Sequence, residues 1–181
     1  MDNDFYARKM NTRFDSFDRD RDGVITEADF EQMAAHVLTG FGFTRESPQG
    51  RQVIDGAQRY WSNLAEAADA NRDSQLTPQE FRAAASQTML GTPAGFQQTA
   101  QPWYEAIAQA ADNDGDGRLS ADEYRRMMRA LGATEEAVKE TGAHLTDGDG
   151  SISVDAVIAS MENFYTSDKP HHPATYSFGK F

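Results

Sequence analysis

One acidic pattern occurs four times in this chain, and it limits the fold more than any other feature. Segments of about twelve residues, rich in Asp, begin at Asp18, Asp69, Asp112 and Leu145. Apolar residues at three- and four-residue spacing come before and after each segment, which is typical of amphipathic helices. The repeat therefore predicts four helix-loop-helix units, eight helices in total, and an all-α fold.

The residues within each segment match the needs of a hard divalent cation. Such an ion takes six to eight oxygens at about 2.4 Å, supplied from loop positions 1, 3, 5, 7, 9 and 12, with a chain reversal at position 6 and an apolar side chain at position 8. Three loops have this pattern: 18–29, 69–80 and 112–123. The candidate ligands are Asp18, Asp20, Asp22, the carbonyl of Val24 and Asp29; Asp69, Asn71, Asp73, the carbonyl of Gln75 and Glu80; and Asp112, Asp114, Asp116, the carbonyl of Arg118 and Glu123. The sequence thus predicts about three Ca²⁺ sites of the EF-hand type.

The loops are not equivalent. Ser74 replaces the expected Gly at position 6 of the second loop, and a Cβ in a left-handed backbone costs about 1 kcal/mol, so we expect a weaker site there. The fourth loop, 145–156, has Leu145 and Ala156 at positions 1 and 12 and is expected to be a degenerate unit kept for pairing. Asp29 is shorter than Glu at position 12, which makes Mg²⁺ a competitor at the first loop.

The apolar side chains at the eighth loop position predict how the loops pair. Ile25 with Leu76, and Leu119 with Ile152, can form short two-stranded antiparallel ribbons. This pairing predicts an N-terminal lobe of residues 1–92 and a C-terminal lobe of residues 93–181, joined in one compact body.

Helix starts support the same alignment of the loops. Ser120 with Glu123, and Thr77 with Glu80, have the spacing of capping boxes. Pro78 then falls at the first helical position, where its missing N–H is tolerated. The longest interval between loops is assigned to an extended third helix, roughly 49–68.

Composition limits the partners. The net charge of −12 disfavours nucleic acid and anionic membranes, and 39% apolar residues are enough for a core. The absence of Cys excludes disulfides and thiolate chemistry. No apolar targeting or membrane-spanning stretch is present, so we expect a cytoplasmic monomer whose main partner is calcium; a protein target is left open.

The first unit resembles that of the sarcoplasmic calcium-binding proteins and of their bacterial relative calerythrin. The shared features are Lys9, Met10, Thr12 and Phe14 before the loop, Asp29 closing it, and Phe30, Glu31, Met33 and Ala34 after it. The long interval after this unit and the tail residues Tyr176, Phe178 and Gly179 are also similar to that family. The resemblance implies two lobes packed face to face, two or three occupied loops, and a role in calcium buffering with magnesium exchange.

The loop pattern favours one of four functions over the other three. A calcium buffer fits the many carboxylate ligands best. A calcium sensor that exposes a groove for a target is the alternative, although such grooves are rich in Met and this chain has seven Met beside many aromatic residues. A ligand carrier or photoprotein would need Trp61, Trp103, Tyr104 and His36 around one cavity. An enzyme is not expected, and His171 and His172 are interpreted as solvated.

Overall fold

The computed structural model describes residues 3–87, 91–167, 174 and 177–178. Within these residues the chain forms nine helices and one two-stranded sheet. The elements are α1 (Asn3–Phe17), α2 (Glu27–Phe41), α3 (Pro48–Ala68), α4 (Pro78–Gln87), α5 (Pro93–Thr99), α6 (Gln101–Ala111), β1 (Arg118–Leu119), α7 (Ala121–Ala130), α8 (Glu135–Leu145), β2 (Ile152–Ser153) and α9 (Val154–Thr166). The predicted all-α fold class is confirmed.

Both predicted capping boxes are present. The backbone amide of Ser120 donates to Glu123 Oε2 at 2.8 Å, and the amide of Glu123 donates back to the Ser120 hydroxyl at 3.3 Å. Thr77 and Glu80 exchange the same pair of bonds, and Pro78 is the first residue of α4. Each box satisfies two amides that the first turn of a helix leaves without intrahelical partners.

One helix was not expected. The segment around Pro93 was interpreted as a break between the lobes, yet α5 begins there. Thr92 caps it by accepting a hydrogen bond of 3.1 Å from the Gly95 amide, and Pro93 occupies the first turn. The Thr-Pro pair is a helix start signal, and it explains why the described residues contain nine helices where eight were predicted.

The loops pair as their apolar eighth positions predicted. Ile25 and Leu76 exchange two backbone hydrogen bonds of 2.9 Å across the N-terminal loops. In the C-terminal lobe β1 and β2 are antiparallel, with Leu119 opposite Ile152. All four of these apolar side chains are buried, so each ribbon also closes the core beneath its two loops.

The two lobes meet along α3 and α6, the helices that enter the second and third loops. Gly56 on α3 faces Trp103 on α6, and a Cβ at Gly56 would lie 3.4 Å from the Trp103 ring. The small residue therefore permits a close approach of the two helices. Trp103 is fully buried, as expected for a side chain at the centre of one continuous body.

Aromatic rings fill much of the interior. In the N-terminal lobe Phe17 stacks on Phe30 at 5.1 Å between centroids and meets Tyr60 edge-on at 5.6 Å. Aromatic pairs of this kind add about 0.5–1.5 kcal/mol beyond the burial of their area. Phe17 ends α1 and Phe30 lies in α2, so the stack joins the helices on either side of the first loop.

A cation lies in the core between the first and last helices. Arg13 is fully buried; its Nη2 donates to the hydroxyl of Tyr104 at 2.8 Å, and its Nε donates to Tyr165. Its Cζ is 3.9 Å from the ring centre of Phe17 and 4.0 Å from that of Phe178. Among the described residues, its partners are hydroxyl groups and aromatic rings rather than carboxylates.

The C-terminal tail is described at three residues, Ala174, Ser177 and Phe178, and all three are buried. His171, His172, Tyr176 and Gly179, which the sequence singled out, fall outside the described residues. In the part of the chain that the structure covers, the helices are all too short or too polar to cross a membrane.

Candidate metal sites

The first loop brings three carboxylates together at the end of α1. Oxygens of Asp18, Asp20 and Asp22 lie within 4.8 Å of one another. Backbone amides hold this arrangement, since Asp22 and Gly23 donate to the two oxygens of Asp18 at 3.1 and 3.0 Å. The loop therefore gathers its acidic side chains around one point, where the amides offset part of their mutual repulsion and a cation would offset more of it.

Asp29 closes the first loop from the first turn of α2. Its Oδ1 accepts from the Arg19 amide at 2.9 Å, and its Oδ2 accepts from the amide and the hydroxyl of Thr26 at 2.8 and 3.0 Å. Only 2% of this residue is exposed. Asp29 is thus a fixed group that joins both ends of the loop.

The third loop repeats this geometry with a longer closing residue. Oxygens of Asp112, Asp114 and Asp116 lie within 4.8 Å of one another. Glu123 accepts from the Asn113 amide at 3.1 Å and from Ser120 at 2.8 Å. Partial burial opposes ionisation of Glu123, but the hydrogen bonds from Ser120 and Asn113 outweigh it and lower the pKa of this carboxyl.

The second loop has the same backbone path with one amide among its side chains. Asp73 and Ser74 donate their amides to Asp69 at 3.2 and 2.9 Å, and the Asn71 side chain oxygen accepts from the Asp73 amide at 2.9 Å. Glu80 accepts from Thr77. The second loop therefore has an oxygen ligand of the expected type at each side-chain position. It has three carboxylates at these positions, whereas the third loop has four.

Backbone conformation separates three loops from the fourth. Position 6 is left-handed throughout, including Ser74 at φ +62° beside Gly23 at +92°. Position 4 is left-handed in the first three loops, whereas Gly148 of the fourth has no positive φ. Ser74 thus adopts the strained conformation that its position demands, at a cost on the order of 1 kcal/mol.

The fourth loop follows a different path. The Asp147 amide donates to the Ser151 carbonyl at 2.9 Å, and the Gly150 amide donates to the Asp147 carbonyl at 3.0 Å. Leu145 is the last residue of α8 and packs against the core instead of offering an oxygen. The fourth loop therefore closes through backbone hydrogen bonds of its own and has no carboxylate at positions 1 and 12.

The donor chemistry of the first three loops fits calcium. All the side-chain ligands would be carboxylate, amide or hydroxyl oxygens, which a hard cation prefers. The clustered carboxylates also carry negative charge that a cation would offset. The carbonyls of Val24, Gln75 and Arg118 occupy position 7 of these loops. Both Mg²⁺ and Ca²⁺ use such oxygens.

Within the part of the chain that the structure describes, the residues that a ligand carrier would need make different contacts. Trp61 packs against Phe30 in the N-terminal lobe, at 5.8 Å between ring centroids. Tyr104 is bonded to Arg13, Trp103 faces α3, and His36 is exposed on α2. These four residues therefore belong to different environments.

Sequence reasoning missed one contact at the loops. The side chain of Arg118 crosses from the third loop to Asp147 and Asp149 of the fourth. The loop pattern assigns a role to Arg118 only through its backbone carbonyl, because position 7 supplies a carbonyl ligand. The pattern says nothing about its side chain. The position of Arg118 in the predicted ribbon, one residue before Leu119, is the signal that could have indicated the contact.

Comparisons with known proteins agree with this geometry. The family model described as EF hand matches residues 10–34 and 109–128, which include the first and third loops. Calerythrin from Saccharopolyspora erythraea is 26% identical over 159 residues, covering 87% of this chain and 90% of calerythrin.

Solved structures extend the similarity. A Streptomyces coelicolor calcium-binding protein, whose structure addresses prokaryotic calcium-mediated regulation, is 31% identical with a TM-score of 0.79. The match covers 89% of this chain and 98% of that one. A sarcoplasmic calcium-binding protein from amphioxus matches over 98% of both chains with a TM-score of 0.72, and at 20% identity this similarity concerns the fold.

Proposed function

Because the chain belongs to the EF-hand family of calerythrin and the sarcoplasmic calcium-binding proteins, we propose that it is a calcium buffer whose first three loops each bind one Ca²⁺ ion. The observation that carries the proposal is the convergence of three carboxylates, within 4.8 Å of one another, in both the first and the third loop. Each set is closed by a position 12 carboxylate that backbone amides hold in place.

Charge supports binding to all three loops. Three calcium ions would offset half of the net charge of −12. Relief of repulsion between these carboxylates would add to the stability of the folded chain. In this proposal the acidic residues act as calcium ligands and have no catalytic role. The protein is a cytoplasmic monomer, and its acidic surface disfavours nucleic acid and anionic membranes.

The buried methionines favour a buffer over a sensor. Met10, Met33, Met127, Met128 and Met161 are each at most 2% exposed. A sensor needs adaptable Met side chains that calcium can bring to the surface of a groove. Here they pack in an aromatic core that spans both lobes, which supports a body that loads calcium without opening.

A calcium sensor remains the second candidate, and one observation favours it. A cleft of about 330 Å³ lies between α7 and α8, with Tyr124, Val138 and Ile152 among its lining residues. These helices flank the ribbon of the C-terminal lobe, so calcium in the third loop could widen the cleft. The occupant in that case would be an apolar segment of a target protein.

Calcium titration by calorimetry, with and without millimolar magnesium, tests the proposal. We expect three ions per chain, with magnesium weakening the first site. An apolar fluorescent dye then reports exposed surface in each state. A buffer shows no increase in dye binding on calcium loading, whereas an increase that calcium alone produces would favour the sensor. Two ions per chain would mean that Ser74 disables the second loop.

A further inference from the structure

The guanidinium of Arg118 lies against the fourth loop. Its Nη2 is 2.5 Å from Asp147 Oδ2 and 3.4 Å from Asp149 Oδ1, and its Nε donates to the Ser151 hydroxyl. Asp147, Asp149 and Ser151 occupy positions 3, 5 and 7 of that loop. A positive charge from the neighbouring loop therefore contacts the side chains at positions 3 and 5, which supply ligands in the other loops. At position 7 it contacts a side-chain hydroxyl, where the other loops would supply a backbone carbonyl.

The ribbon brings Arg118 to this place. Arg118 is opposite Ser153 in the β1–β2 pair, and the Val154 amide donates to the Gly117 carbonyl at 3.1 Å beside it. Position 7 of the first and second loops holds Val24 and Gln75, which carry no charge. The arrangement is thus particular to the C-terminal lobe, where the fourth loop lacks its own carboxylates at positions 1 and 12.

The electrostatics of the contact are those of a cation site. A guanidinium is always charged in proteins, so Arg118 brings a permanent positive charge to Asp147 and Asp149. Hydrogen bonds from the amide and hydroxyl of Ser151, followed by the charge of Arg118, lower the pKa of Asp149. The Arg118 side chain is 32% exposed, less than the carboxylates of Asp147 and Asp149 at 58% and 62%.

We propose that the fourth loop is a cation site that this chain fills itself: the Arg118 guanidinium takes the place of a calcium ion between Asp147 and Asp149 and excludes metal from the loop. A guanidinium offers the planar donors that two carboxylates and a hydroxyl can accept together. The inference rests on the proposed function, since it assumes that the third loop binds calcium through the Arg118 carbonyl.

This arrangement connects the fourth loop to the third. The carbonyl of Arg118 is the position 7 ligand of the third loop, and its side chain holds the fourth. An ion in the third loop fixes the backbone from which the guanidinium extends. Loss of the guanidinium contacts is therefore expected to loosen the β1–β2 ribbon and to weaken calcium binding at the third loop.

The test restores the missing ligands with and without the guanidinium. Leu145→Asp with Ala156→Glu supplies carboxylates at positions 1 and 12, and this double variant is combined with either Arg118→Gln or Arg125→Gln. Arg125 is a matched control because it carries the same charge in the same lobe but pairs with Asp122. Equilibrium dialysis counts bound calcium per chain, and circular dichroism checks that each variant is folded.

We expect a fourth ion in the variant with Arg118→Gln, bound at least roughly tenfold more tightly than in the double variant or the Arg125→Gln control, because guanidinium and calcium repel each other at short range. Equal fourth-site affinity in all three would overturn the proposal. So would a failure of the Arg118→Gln variant to bind a fourth ion, since the guanidinium would then not be what excludes it.

A second measurement uses the natural loop without metal. Arg118→Gln should lower the thermal midpoint, and Asp147→Asn with Asp149→Asn added to it should recover the loss, because the carboxylates then no longer repel each other. A loss that these changes do not recover would contradict the proposal. An unmodified chain that binds no calcium would contradict the buffer assignment instead. The thermal midpoints of the loop variants, measured without metal, would still test the role of Arg118.

Discussion

The hydroxyl of Tyr165 on α9 lies 2.7 Å from the Nε of Arg13 on α1. The same hydroxyl is 3.0 Å from that of Tyr104 and 3.1 Å from that of Tyr60. A single phenol thus joins the first and last helices to α3 and α6. Because the guanidinium is fully buried, each of its donors needs an acceptor in the protein.

Tyr165→Phe should destabilise the protein markedly. The change leaves the buried Nε of Arg13 without its acceptor, and an unsatisfied charged donor costs about 3 kcal/mol or more. Urea unfolding of the calcium-loaded chain measures the loss. Tyr60→Phe is the matched control, since its hydroxyl bonds to Tyr165 rather than to Arg13, and should cost about 1 kcal/mol. Equal losses in the two variants would show that the guanidinium is not the reason.

Substitutions at the sixth loop position should shift stability in opposite directions. Ser74→Gly removes a Cβ from a backbone at φ +62° and should raise the free energy of unfolding of the metal-free chain by up to about 1 kcal/mol. Gly23→Ser, at φ +92°, should lower it by about 1–2 kcal/mol. Denaturant titration of both variants checks the signs. A loss of stability in Ser74→Gly would mean that the serine side chain stabilises the second loop.

The residue at loop position 12 should determine how strongly magnesium competes with calcium for the loop. Asp29→Glu lengthens the group at position 12 of the first loop and should reduce the effect of magnesium on calcium binding there. Glu123→Asp is the converse change, and it should make the third loop sensitive to magnesium. Calcium titrations of both variants at fixed magnesium give the comparison. An unchanged magnesium effect in both would assign the ion preference to other loop residues.

Buried phenols should make the fold sensitive to alkali. Burial raises the pKa of Tyr6, Tyr60, Tyr104 and Tyr124 above the ordinary value of a phenol. The folded chain keeps these protons at pH values where the unfolded chain releases them, so the stability they give is complete below about pH 10 and is lost as the pH rises further. Tyrosinate absorbance and helical circular dichroism should therefore change together. Ionisation of more than two of the six tyrosines near pH 10 with full helicity would contradict this prediction.

The loop chemistry was predictable because each loop is a short local pattern. Oxygen donors, capping boxes and the apolar eighth position are all defined by short spacings, so Glu123 and Ile25 could be assigned roles from the sequence. Arg13 could not. Its partners Tyr104 and Tyr165 are 91 and 152 residues away along the chain, and nothing in the sequence near Arg13 indicates that it is buried.

The same limit explains the fourth loop. Leu145 and Ala156 identify a missing ligand set, but the guanidinium that contacts the remaining carboxylates belongs to another loop. Only the antiparallel pairing of β1 and β2, with Arg118 opposite Ser153, brings the two together. Spacing within a loop thus predicts which ligands the loop can supply, whereas strand pairing determines which side chains of another loop contact it.

The burial of Arg13 also bears on the order in which this protein can mature. A ribosome makes α1 and the first loop well before Tyr165 and Phe178, the residues that enclose the guanidinium, since Tyr165 follows Arg13 by 152 residues. The first helix-loop-helix unit therefore cannot bury the charge of Arg13 until the ribosome has synthesised α9. Nascent chains stalled before that helix should remain open to proteolysis at α1, even where calcium has already been captured.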